Sequence, residues 1–90
     1  MNNLNEVKIK SLNELKDLLS YLLEKINKHE VVQIQNYDDL FLTKIKIEDI
    51  LKQETVPDFI RYYFKDLSTS IVYILSVETY HGVGGELKRI

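Results

Sequence analysis

The sequence contains no cysteine, no tryptophan and no alanine, only one proline, Pro57, and three glycines, all between Gly82 and Gly85. Without cysteine there is no disulfide, thiolate nucleophile, iron–sulfur cluster or cysteine-ligated zinc. No apolar run approaches the roughly 20 residues needed to span a bilayer, so no membrane role is expected. Met1 to Lys10 lacks an apolar stretch flanked by basic residues, so no secretory signal is read there. These absences together point to a cytoplasmic setting. Arginine is also scarce, with two against ten lysines. Lys and Arg together number 12 against 14 Asp and Glu, a net charge of −2. No overall field exists to hold a polyanion.

What remains is ordinary for a globular chain: 90 residues, 44% hydrophobic and 29% charged. Domains rarely run below about 50 residues, so residues 1–90 are read as one small domain. Lacking alanine, its core must be built from large Leu, Ile, Val, Phe and Tyr side chains.

Periodicity supplies the elements. Val7 and Ile9 alternate with Glu6, Lys8 and Lys10, the pattern of a short strand. Ser11 to Glu14 forms a capping box, in which the serine oxygen takes the Glu14 amide and the Glu14 side chain returns to the Ser11 amide. Leu12, Leu15, Leu18, Leu19, Leu22, Leu23 and Ile26 then make one stripe at the helical period, ending near Lys28 and His29. Glu30 to Gln35 reads as a second strand, and Asn36 to Asp39 as a turn. Phe41, Thr43, Ile45 and Ile47 alternate with Leu42, Lys44 and Lys46, which predicts a third strand. Ile47, Ile50 and Leu51 also fit a turn or two of helix. Val56-Pro57-Asp58 predicts a helix start, with Ile60, Tyr63, Phe64 and Leu67 buried and Tyr62 outward. Ser70 to Tyr80, a turn over His81–Gly85, and Glu86 to Ile90 make a terminal hairpin.

The expected fold is α+β. A mostly antiparallel sheet of four to five strands packs against a long N-terminal amphipathic helix and a second shorter one, in the order β-α-β-β-α-β-β. An exposed edge at Glu86 to Ile90 is a place where a second copy could pair to give a homodimer.

No catalytic set is visible, which points away from an enzyme, and no cofactor is implied. His29 and His81 are the only histidines and lack metal-ligand spacing, so no metal site is expected. Two surfaces carry candidate binding residues. The first comprises Tyr37, Asp38 and Asp39 in the turn, with Tyr62 and Tyr80 read as outward; tyrosine offers contact area at low entropy cost, and the acidic turn suits a basic protein partner. The second is His81, Gly82, Gly84 and Gly85. Glycine-rich backbone can form an anion-binding nest, but phosphate loops lead into a helix and this one leads into a strand. A third possibility places Lys8, Lys10, Lys44 and Lys46 on one basic stripe for nucleic acid, against the negative net charge. The reading these features favour is a small non-enzymatic protein-binding module of the accessory, inhibitor or immunity type. A small-ligand or anion-binding domain, or a catalytic one, using the His81–Gly85 loop is the alternative.

Overall fold

The computed structural model describes residues 4–90. Five strands and two helices follow one another: β1 (Val7–Ile9), α1 (Leu12–Asn27), β2 (Val31–Ile34), α2 (Ile47–Lys52), β3 (Phe59–Asp66), β4 (Val72–Glu78) and β5 (Gly84–Arg89). The strands form one antiparallel sheet in the order β1-β5-β4-β3-β2. The fold is α+β, as the sequence predicts, but the chain order is β-α-β-α-β-β-β.

Ser11 opens α1: its hydroxyl accepts the Glu14 amide at 3.1 Å. The Glu14 carboxylate reaches back to the Lys10 amide at 2.7 Å, one residue earlier than the usual return bond. The helix closes with His29 in the left-handed region (φ 61). There the Glu30 amide bonds the Lys25 carbonyl and the His29 amide the Ile26 carbonyl, the paired arrangement that ends many helices. This turn delivers the chain to β2. The strands flanking α1 run parallel but lie at opposite edges of the sheet. A 16-residue helix is about 24 Å long, and five strands span about 19 Å, so α1 can carry the chain across one whole face.

The leucine stripe packs on that face. Leu15, Leu19 and Leu22 are fully buried, with Ile60, Tyr62, Phe64, Leu75 and Leu87 beneath them. Ile47 and Ile50 of α2 complete the layer, so the expected helical turns from Ile47 are present. Only one face of the sheet is covered by the helices.

Three expectations are corrected. Residues 58–67 do not form a helix. They form β3, in which Ile60, Tyr62, Phe64 and Asp66 are buried in strict alternation. Tyr62, read as outward, is 0% exposed, whereas Leu67, read as buried, is 50% exposed. The Phe41–Ile47 segment is not a strand. Only Thr43 bonds the backbone of β3, its amide donating to the Arg61 carbonyl at 3.0 Å and its hydroxyl accepting the Arg61 amide at 2.8 Å. Finally, Glu86 to Arg89 is no free edge, because β5 is paired on both sides, to β1 and β4. Among the described residues the free edges are β1 and β2.

Asp66 ties the segment before β1 to the end of β3. It is buried, yet its Oδ2 accepts the Leu4 amide at 2.9 Å and its Oδ1 accepts both the amide and the hydroxyl of Ser68. Burial opposes ionisation, but the amides of Leu4, Ser68 and Thr69 and the Ser68 hydroxyl outweigh it. The carboxyl therefore sits below its ordinary value of 3.8. A group with a depressed folded value contributes fully above its unfolded value and loses that contribution as pH falls through the folded one. Stability is expected to decline below about pH 4 for this reason. Asp66→Asn turns one accepting oxygen into a donor facing another donor. It should cost about 1–3 kcal/mol at pH 7 and flatten part of the acid decline. Urea denaturation at pH 7 and pH 3 measures both effects.

Candidate functional site

Register and alternation place the remaining strand side chains on the sheet's other face. One row runs Val32, Lys65, Val72; the next runs Ile34, Tyr63, Ile74, Lys88. A third holds Arg61, Ser76, Glu86 and Lys8. In the first two rows the β2–β3–β4 part is apolar apart from Lys65 and the Tyr63 hydroxyl; Arg61 and Ser76 make the third row polar, and the β5–β1 part is charged. No helix lies over this face among the described residues. Val32 is exposed, and Ile34, Tyr63, Val72 and Ile74 are half-buried.

The loop between β2 and α2 folds onto one corner of this face, and Asp39 is what holds it. The Tyr63 hydroxyl donates to Asp39 Oδ2 at 2.6 Å, and Arg61 Nη1 lies 3.3 Å from the same oxygen. The Phe41 amide donates to Oδ1 at 2.9 Å. These bonds, the Tyr63 hydroxyl foremost and the Phe41 amide next, hold the Asp39 carboxyl below the usual range. The same Asp39 contact raises the Tyr63 hydroxyl. Arg61 also donates through Nε to the Ser76 hydroxyl at 3.1 Å. Its guanidinium carbon sits 5.5 Å from the Phe41 ring and 5.1 Å from the Phe59 ring, within cation–π range. The two rings meet edge to face at 6.1 Å. With Arg61 they line an apolar depression of about 380 Å³.

The consequence is a loop pinned at its middle that turns its apolar side chains outward. Tyr37 is 83% exposed, Leu40 93% and Phe41 66%. Anchors held this way lose less freedom on meeting a partner than the same residues on a loose loop would.

The sequence-derived candidates divide accordingly. Tyr37 and Asp38 are exposed on this loop. Asp39 is consumed in holding it. Tyr62 belongs to the core, its hydroxyl donating to the Ile45 carbonyl, so it is removed from any recognition surface. Burial pushes that hydroxyl well above its ordinary value, and Glu48 and Asp49 add to the effect. Tyr80 is exposed and packs edge-on against His81 with ring centres 4.4 Å apart. Phe59 pairs with Glu78, so the Tyr80 loop lies at the same end of the sheet as Phe41 and Phe59. Apart from the apolar run Leu40-Phe41-Leu42 directly after an acidic turn, nothing in the sequence marks Leu40, Phe41 or Lys65 as surface candidates.

His81 is exposed, with Nδ1 3.2 Å from Glu78 Oε1. Two of the three glycines have a backbone reason. Gly82 has φ 107, and at Gly85 a Cβ would lie 2.1 Å from the Ser76 carbonyl oxygen. The glycine excess beyond a two-residue turn is thus used by Gly85 inside the sheet. The basic stripe is not assembled. Lys8 lies in β1 and Lys10 follows it, at one edge, while Lys44 and Lys46 lie in the loop that passes β3 on the β2 side. No helix is long and apolar enough to cross a membrane among the described residues. The chain matches no family model, no curated protein and no solved structure.

Proposed function

We propose that this chain is a small non-enzymatic protein-binding module. Its contact surface is the uncovered sheet face together with the pinned loop Tyr37–Leu42. The observation that carries the reading is the pairing of opposite properties in that loop: three exposed large apolar side chains on a backbone fastened by Asp39, Tyr63 and Arg61. Interfaces draw most of their energy from a few aromatic and arginine anchors of this kind. The acidic Asp38 beside them, and Glu78 across from Phe59, leave polar groups for the rim.

The double variant Leu40→Ser/Phe41→Ser tests it. Leu40 is exposed, so its replacement should change stability by no more than about 0.5 kcal/mol; Phe41 also loses its ring contact with Phe59, about 0.5–1.5 kcal/mol, which leaves the domain folded. Tagged wild-type protein should recover a stoichiometric partner from extract of its own cells. The variant should lose that partner, or bind it at least about tenfold more weakly, as expected for anchor residues. Absence of a partner for the wild type, or undiminished binding by a folded variant, overturns the proposal.

A further inference from the structure

Lys65 lies in the end row of the apolar part of the open face, on the central strand of that part, β3. Its cross-strand neighbours on that face are Val32 and Val72, with Tyr63 two residues before it on the same strand. It is half-buried and makes no ion pair with any described residue. The face's own carboxylates are engaged elsewhere: Asp39 with Arg61, Glu78 with His81, and Glu86 with Lys88. Lysine on a strand often serves to keep a bare edge from pairing. That does not explain Lys65, because β3 is paired to β2 on one side and β4 on the other. A cation placed among apolar side chains, with no counter-ion of its own, suits a partner that brings a carboxylate.

The width of the apolar part indicates the form of that partner. Three strands, β2 to β4, span about 10 Å between their outer axes, and an α-helix with its side chains is about 10–12 Å across. The charged strip of Lys88, Glu86 and Lys8 bounds the patch on one side and the Asp39 loop closes one end. Resting on the protein-binding reading above, we infer that the open face receives one amphipathic helix of a partner protein, whose apolar stripe is interrupted by an Asp or Glu that pairs with Lys65.

Two model peptides of equal length, one built from Leu and Glu and the other from Leu and Lys, test this against ¹⁵N-labelled full-length protein. The Leu/Glu peptide is expected to shift the amides of Val32, Lys65, Val72 and Ile74, and to bind at least tenfold more tightly than the Leu/Lys peptide. That preference runs against the chain's own net charge of −2. Lys65→Gln should erase the preference, and Lys65→Glu should reverse it. Both are half-exposed replacements, and a thermal melt confirms that they fold. Equal binding of the two peptides on this face overturns the role of Lys65 while leaving the protein-binding reading intact. Shifts confined to other surfaces, or none with either peptide, overturn the helix-docking inference. The Leu40/Phe41 variant decides the broader reading separately.

Discussion

Gly85→Ala should be among the most damaging single-methyl additions this chain can receive. Alanine at a compatible strand position is normally neutral or gains about 0.4–1 kcal/mol by restricting the unfolded chain. At Gly85 the new Cβ would lie 2.1 Å from the Ser76 carbonyl oxygen and 2.6 Å from the Val77 Cα. Both are backbone atoms of β4, so no side chain can rotate away. β5 would have to move off β4, and Gly85 is also paired to Ile9 of β1. Overpacking typically costs about 1–3 kcal/mol, and with only backbone atoms to yield, this case should reach the upper end, about 3 kcal/mol, a large share of the roughly 5–13 kcal/mol that holds a domain of this size together. Gly84, the adjacent residue, has nothing within 4 Å of its Cβ position. Gly84→Ala is therefore expected to be neutral or slightly stabilising. Thermal denaturation of the two variants should show a fall of at least about 12 °C for the first and none for the second. Equal melting temperatures would contradict the β4–β5 packing.

Tyr62→Ala is expected to cost about 3–5 kcal/mol, the range for truncating a buried aromatic side chain. Its ring lies fully inside the core, tilted against Phe64 with centroids 6.2 Å apart. Its hydroxyl satisfies the Ile45 carbonyl and so fastens the segment leading into α2. Tyr62→Phe isolates that second role and should cost about 1 kcal/mol. Tyr37→Ala, by contrast, should leave stability within about 0.5 kcal/mol, since Tyr37 is exposed. Urea denaturation of the three variants ranks them. A harmless Tyr62→Ala beside a costly Leu67→Ala would mean that residues 58–67 are helical after all.

That reversal shows where sequence patterns stop being decisive. The capping box, the leucine stripe and the terminal hairpin were legible because each is local: a few neighbouring residues contain the whole signal. In residues 59–67 the apolar side chains are so dense that Ile60, Tyr63, Phe64 and Leu67 fit a helix while Ile60, Tyr62 and Phe64 fit a strand. The choice is made by pairing with β2 and β4, which periodicity does not report. Phe41 to Ile47 failed for the converse reason. Its alternation suits a strand, but Asp39 holds the loop on side chains of β3 and only Thr43 reaches that strand's backbone. At the candidate site, Tyr37, Asp38 and Tyr80 were legible as exposed polar-tipped residues in turns. The isolation of Lys65 was not, because its apolar neighbours come from β2 and β4 and are assembled only by the sheet register.

Each surface proposed above depends on the outer face of the sheet being bare in solution. Paramagnetic relaxation of methyl groups by a soluble gadolinium chelate measures that. Val32, Ile74 and Leu40 should relax strongly, while Leu19 and Leu75 beneath the helices stay sharp. If Val32 and Ile74 prove as protected as Leu75, the face is covered and is not the binding surface.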